Sequence, residues 1–201
     1  MLIDSHAHLD DRRFNRDRDR LIESLKENGI DLVINPGADL QTSIKAVTLA
    51  EKYENIYAAV GVHPHSAKEM DDSTVNVLKS FTNREKVIAI GEIGLDYYYD
   101  NSPRDIQRKR FIEQLNLAKE VDLPVIIHSR SAAGETFEIL KEAQDGNLEG
   151  VLHCYSGSVE MAREYIKLGF YISIAGPVTF KNARVLKEVA KEVPLDKLLI
   201  E

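Results

Sequence analysis

Lys86-Val87-Ile88-Ala89-Ile90-Gly91-Glu92-Ile93-Gly94-Leu95-Asp96 is an apolar run that reaches an acid set among glycines. Val87 to Ile90 has no polar alternation, the pattern of a parallel strand buried on both faces. A strand is predicted over Lys86 to Glu92, with Glu92 at its carboxyl end. Similar runs recur on either side. Strands are expected from Met1 to Ser5, Asp31 to Pro36, Ile56 to Val62, Pro124 to His128, Gly150 to His153, Phe170 to Ala175 and Lys197 to Glu201. Segments of helical spacing separate them, carrying Leu21, Ile22 and Leu25, then Ile106, Phe111, Leu115 and Ala118, then Ile139 and Leu140, then Val185, Leu186 and Val189. Gly29 and Gly169 fall where helices should stop.

Seven strand–helix alternations and an eighth strand predict an α/β fold, a TIM (β/α)8-type barrel. An open doubly wound sheet is the alternative. No Gly-rich phosphate loop follows any predicted strand, which counts against it. With 201 residues, 43% hydrophobic and 29% charged, the chain reads as a single globular domain over residues 1–201. Because it stops at Glu201, in or just after the eighth strand, the expectation is a barrel truncated there and incomplete at its C-terminus.

The formal net charge of -7 argues against a protein that coats long nucleic acids, which needs a basic face. It leaves room for an enzyme that grips a few phosphates through cations. The single cysteine, Cys154, allows no internal disulfide, and the amino terminus has neither a basic n-region nor a long apolar run. A cytoplasmic monomer without a membrane anchor is expected.

All six histidines fall at ends of predicted strands: His6 and His8, His63 and His65, His128, and His153. In an α/β barrel these ends converge on one mouth, and imidazole is the commonest metal-binding side chain. On a strand the rings of His6 and His8 would point the same way and hold one cation. Glu92 can bridge two cations or complete one coordination sphere. Asp96 is either an acid that orients a ligand or substrate, or a turn residue. Arg130 can clamp a phosphate oxygen or be a surface charge at a helix start. Pro64 stiffens the His63–His65 loop, where His63 is expected to contact substrate and His65 is left open. Cys154 should face away from His153 and serve packing. Arg104, Arg108, Lys109 and Arg110 could meet a nucleic-acid backbone or form a solvated helix face. Tyr97, Tyr98 and Tyr99 could stack on bases or pack the barrel rim.

His6-Ala7-His8-Leu9-Asp10, Gly61-Val62-His63-Pro64-His65, Gly91-Glu92-Ile93-Gly94-Leu95-Asp96, His128-Ser129-Arg130 and His153-Cys154-Tyr155-Ser156-Gly157 occur in the order and context of TatD-like metal-dependent hydrolases, and the chain resembles that family over its whole length. The resemblance implies a barrel of the amidohydrolase type and a magnesium-dependent deoxyribonuclease, often of 3′-to-5′ exonuclease character. It implies metal ligands at His6, His8, Glu92, His128 and His153 and a substrate contact at His63. It also implies an aspartate, metal ligand and base, in a Thr-Asp pair after a glutamate like Glu201. Nothing follows Glu201 here, so the chain as written is expected to be a weak or inactive catalyst.

The function expected is hydrolysis of DNA ends or short single strands by water activated on two divalent cations. His6, His8 and Glu92 would hold one, and Glu92, His128 and His153 the other. Mixed N and O ligands suit Mg²⁺, Zn²⁺, Mn²⁺ or Ni²⁺. An amidohydrolase of small amides or lactones is one rival; such sites often use a carbamylated lysine on strand four, where this chain has Glu92. A non-catalytic metal-binding module is the other.

Overall fold

The computed structural model describes residues 2–201, so Met1, placed at the start of the first predicted strand, lies outside the described residues. Eight strands form one parallel sheet in sequential order: β1 (Ile3–Asp4), β2 (Leu32–Pro36), β3 (Ile56–Val60), β4 (Val87–Asp96), β5 (Val125–Arg130), β6 (Gly150–Leu152), β7 (Phe170–Ile174) and β8 (Leu198–Ile200). The sheet curls back on itself. The amide of Ser5 donates to the Ile200 carbonyl at 3.0 Å, and the Ser5 hydroxyl donates to the same oxygen at 2.9 Å. The expected α/β barrel is the fold observed.

Seven helices cover the strands: α1 (Arg18–Ser24), α2 (Leu40–Lys52), α3 (Thr74–Phe81), α4 (Arg104–Val121), α5 (Ala133–Ala143), α6 (Val159–Lys167) and α7 (Arg184–Glu192). Their starts follow local chemistry. Asp39 and Thr42 form a reciprocal capping box at α2, and the Ser158 hydroxyl accepts from the Met161 amide at α6. Gly29 and Gly169, with φ of 83° and 96°, follow a short 3-10 turn after α1 and the end of α6, as expected.

The period-two alternation of strands sorts the apolar residues into two layers. Ile34, Ala59, Ala89, Ile126, Val151, Tyr171 and Leu199, one from each of β2 to β8, form a cluster of their own inside the barrel. Their neighbours Val33, Ala58, Ile90, Val125, Leu152 and Ile172 belong to the larger core shared with the helices, where Phe111, Leu115, Leu140 and Tyr165 are almost wholly buried. Both strand faces are therefore apolar, which is why these strands read as continuous apolar runs. On α7, Val189 is buried, whereas Val185, expected on the same apolar face, is 52% exposed. No helix among the described residues is long and apolar enough to cross a membrane.

Several strand ends differ from the sequence expectation. β4 continues past Glu92 to Asp96, so Asp96 closes a strand rather than occupying a turn. The pairing register of β4 with β5 shifts between Ile90 and Ile93, an irregularity that re-aims the residues it contains, Glu92 among them. β1 stops at Asp4 and β6 at Leu152, leaving His6, His8 and His153 in the loops that follow.

Candidate metal centre

The first loop holds its histidines by backbone and side-chain bonds rather than by strand alternation. The His6 amide donates to Asp4 Oδ1 at 3.0 Å, and the Ala7 amide donates to the Ile34 carbonyl at 3.0 Å. Asp10 and Asn35, both buried, exchange two hydrogen bonds: Asn35 Nδ2 donates to Asp10 Oδ1 at 3.0 Å, and the Asp10 amide donates to Asn35 Oδ1 at 3.1 Å. Arg18 donates to the carbonyls of Leu9, Asp10 and Asp11, tying the loop from the other side. As a result His6 Nε2 and His8 Nε2 meet at 3.1 Å.

Glu92 is the hub. It is 4% exposed, and its two oxygens face two groups of rings. Oε2 lies 3.4 Å from His6 Nε2 and 3.5 Å from His8 Nε2. Oε1 lies 2.9 Å from His128 Nδ1, 3.1 Å from His153 Nε2 and 3.4 Å from His63 Nε2. Burial alone would raise the Glu92 pKa; hydrogen bonds from His128, His153, His6 and His63 hold it well below the usual carboxylate range. His6 and His63 are pushed down by burial. His8 is also disfavoured by burial, yet Glu92 and Asp10 raise it.

His153 stacks on His6 with ring centroids 3.8 Å apart, and its Nδ1 lies 3.2 Å from Glu201 Oε2. Burial opposes its charge, but Glu201 and Glu92 together push its pKa up to about 10. Glu201 Oε1 also accepts from the Cys154 amide at 2.6 Å. The bend at Cys154, with φ of 43°, brings that amide around to Glu201. The Cys154 thiol is raised by burial and by the nearby carboxylates, so it is no ready nucleophile.

Asp96 is fully buried and accepts four bonds. Its Oδ2 takes His65 Nε2 at 2.9 Å and His128 Nε2 at 3.1 Å, while its Oδ1 takes the amides of Tyr98 and Tyr99 at 3.0 and 2.9 Å. Burial raises its pKa, but the Tyr99 amide, His65 and His128 lower it overall. Asp96 therefore orients imidazoles and a turn and shows no free face to a substrate. His63, expected to meet substrate, is 8% exposed and turns Nε2 to Glu92; its Nδ1 accepts from the His65 amide at 3.1 Å. It stands with the donor set. His65 lies at the edge of the site, its side chain 33% exposed.

Other expectations fare differently. Arg104 pairs with Asp100, Arg108 with Glu135, and Lys109 and Arg110 with Glu113. The four cations that could have met a nucleic-acid backbone or formed a solvated helix face are thus engaged by three carboxylates, Lys109 and Arg110 sharing Glu113. Arg130 is exposed on the rim beside Tyr98 and Tyr99. Four positioning residues and one donor were not singled out from the sequence. Glu201 ends the last predicted strand, where the strand-end rule that picked the histidines would also have picked it. Asn35 is a polar residue inside an apolar strand. Asp10 extends His6-Ala7-His8 by two residues. Gln107 and Gln114, one heptad apart on α4, are buried and bond the backbone of Asp96 and of Val62 respectively, bracing the end of β4 and the loop after β3 from outside.

The residues fit divalent cations. Three sets of donor atoms lie close enough to share an ion: His6, His8 and Glu92; His63, Glu92 and His128; and His6, His153 and Glu201. Two imidazole Nε2 atoms facing each other at 3.1 Å need either a shared proton or a cation between them, since two lone pairs repel. The buried His6 Nδ1 has no hydrogen-bond partner, so His6 is anchored by its Nε2 side alone.

A family model described as "TatD related DNase" matches residues 3–201. The chain is 47% identical over 201 residues to YabD of Bacillus subtilis, an uncharacterized metal-dependent hydrolase, covering all of this chain and 79% of that protein. It is 33% identical over 201 residues to the 3′-5′ ssDNA/RNA exonuclease TatD of Cronobacter sakazakii, again covering all of this chain and 76% of that one. Among solved structures, the TatD homologue YjjV of Escherichia coli superposes with a TM-score of 0.93 at 34% identity, over all of this chain and 78% of its own. A TatD-family hydrolase of Entamoeba histolytica gives 0.89 at 27% identity, over all of this chain and 72% of its own. With the family matched from the first strand to the last residue, and with imidazoles and carboxylates gathered at the barrel mouth, this chain belongs to the TatD-related family of metal-dependent hydrolases.

Proposed function

We propose that the protein is a metal-dependent phosphodiesterase that shortens single-stranded DNA from its 3′ end. The observation that carries this reading is the single carboxylate, Glu92, whose two oxygens face two separate imidazole groups. Such a hub would let His6, His8 and Glu92 hold one divalent cation and Glu92, His128 and His153 a second. Mg²⁺ is the expected ion in the cell, and Zn²⁺, Mn²⁺ or Ni²⁺ suit the same donors. A bound cation pair supplies water of lowered pKa and neutralises charge developing on a phosphoryl group. The protein's own groups do the rest. Glu92 stays ionised because the imidazoles hold its pKa down. Asp96 fixes the ring of His128, and Glu201 fixes that of His153. The exonuclease named among the relatives supports the choice of phosphodiester over amide. So does a carboxylate, rather than a lysine, at this position of strand four.

A 5′-labelled single-stranded oligonucleotide incubated with Mg²⁺ or Mn²⁺ tests the proposal beside a panel of amides and lactones, with a chain extended past Glu201 by the Thr-Asp pair that the family resemblance implies. A ladder of products shortened from the 3′ end, suppressed by EDTA, is expected. Turnover of an amide or lactone with the DNA left intact would overturn it.

Metal loading is expected to release protons. The raised His153 pKa, about 10, means that this ring carries a proton at neutral pH in the metal-free chain. A metal ligand must give that proton up. Affinity should therefore rise with pH up to about 10 and level off above it. Calorimetric titration at pH 7.5 in buffers of differing ionisation enthalpy should show roughly one proton released through this group. A binding heat independent of the buffer would contradict the assignment of His153 as a ligand.

A further inference from the structure

Beside the metal centre stands an aromatic surface that the donor set does not use. Tyr98 and Tyr99 are 62% and 53% exposed, and their rings meet edge to face, centroids 4.9 Å apart. Neither hydroxyl has a hydrogen-bond partner among the described residues, whereas the hydroxyl of Tyr97 donates to Glu135. Arg130 lays its guanidinium 4.3 Å from the Tyr98 centroid and 4.8 Å from that of Tyr99. Among the described residues no carboxylate pairs with Arg130. Among the described residues other exposed arginines, Arg12, Arg16 and Arg184, also lack a paired carboxylate; what sets Arg130 apart is its place at the barrel mouth against two aromatic rings.

The position of this surface is tied to the site. The Tyr99 ring packs edge-on against His65 at 5.4 Å. Asp96 joins the two regions through one carboxylate, holding the amides of Tyr98 and Tyr99 on one oxygen and the rings of His65 and His128 on the other. The turn that carries the tyrosines is thus fixed relative to a ring that faces Glu92.

We propose that Tyr98, Tyr99 and Arg130 form a platform for an unpaired nucleotide of a single strand, next to the bond being cut. The base stacks on the free face of one of the two rings, which stand perpendicular to each other, and Arg130, held against both, takes the adjoining phosphate. Stacking of this kind tolerates any base, because every base has a π-face. An unpaired nucleotide offers that face freely, whereas a base inside a duplex is covered by its neighbours. The platform would therefore make the enzyme prefer frayed or single-stranded ends. This inference rests on the nuclease reading above and assigns the residues that would receive the single strand.

The test uses a short single strand carrying 2-aminopurine near its 3′ end, with EDTA present so that binding is read without cleavage. The chain has no tryptophan, so the probe's fluorescence is read against a quiet background. Wild-type protein should quench the probe and bind it more tightly than it binds a blunt duplex. The double variant Tyr98→Ala/Tyr99→Ala should lose the quench and bind about 10-fold more weakly. Tyr98→Phe/Tyr99→Phe should keep both, since the hydroxyls have no partners. Arg130→Gln should flatten the salt dependence by about 0.7 in the slope of log K against log salt, one phosphate contact on a single strand. That measurement stands even if the alanine variant folds poorly. Unchanged binding, quench and salt slope in the variants would overturn the platform. If the wild type also cuts DNA in Mg²⁺, the nuclease reading survives that outcome. A wild type that neither binds nor cuts any oligonucleotide overturns both.

Discussion

Glu92→Gln is expected to cost at least about 10³-fold in turnover and to abolish the stabilisation of the protein by divalent metal. The change keeps the shape and removes the charge. In the native chain one carboxylate faces five imidazole nitrogens from four loops and strands, at 2.9 to 3.5 Å. A neutral amide offers one oxygen to that crowd and turns a nitrogen donor towards the other rings. Losing an outer partner of a metal ligand typically costs roughly 10- to 100-fold, and Glu92, which faces both imidazole groups, is proposed as a ligand itself. A thousandfold loss of affinity, under conditions that saturate the wild type, removes about 4 kcal/mol of ligand stabilisation. For a chain of this size that is about 8–16 °C in melting temperature. The comparison to make is the metal-induced melting shift of wild type and variant, together with their rates on single-stranded DNA. A variant that keeps the full melting shift and the full rate would show that the acid does not hold metal.

Gly94→Ala is the change expected to damage the fold most. Gly94 sits on β4 opposite His128 of β5, with φ of 142°. A Cβ placed there would lie 1.9 Å from the His128 carbonyl oxygen and 2.9 Å from its carbonyl carbon. Both are backbone atoms of a paired strand, so no side chain can swing aside to relieve the contact. Either β5 moves away or the ladder breaks, and in both cases His128 leaves Glu92. The backbone conformation is unfavourable for alanine as well. Overpacking and backbone strain each typically cost about 1–3 kcal/mol, which gives about 2–6 kcal/mol together. A fall of roughly 4–24 °C in melting temperature should accompany loss of activity. Gly134 near the start of α5 is the control, because an added Cβ there meets nothing within 4 Å. Gly134→Ala should melt at or slightly above the wild-type temperature. If Gly94→Ala melted with it, the close approach of β4 to β5 would not be a constraint on this fold.

The alternation of strands and helices was legible because each buried parallel strand is written locally, as a short apolar run between helical segments. The histidines were legible for a related reason: barrel geometry sends every strand end to one mouth, so position along the chain nearly reports position in space. His6, His8, Glu92, His128 and His153 needed only that rule to be brought together. The same rule applied to Glu201 would have placed it beside His153.

Pairings between distant residues were not written locally. The balancing of Arg104, Arg108, Lys109 and Arg110 by acids, one of them 27 residues away, depends on how helices lie against one another. Asp96 became an orienting carboxylate, and His63 a neighbour of Glu92, only because β4 runs on past its irregularity and the third loop folds inward. From its sequence alone, then, this protein's barrel and the roster of groups at its mouth follow, since apolar periodicity and strand ends are local properties. Which oxygen of Glu92 faces which ring, and which cation stays unmatched at the rim, came only with tertiary structure, because those depend on distances across the closed sheet that no local pattern encodes.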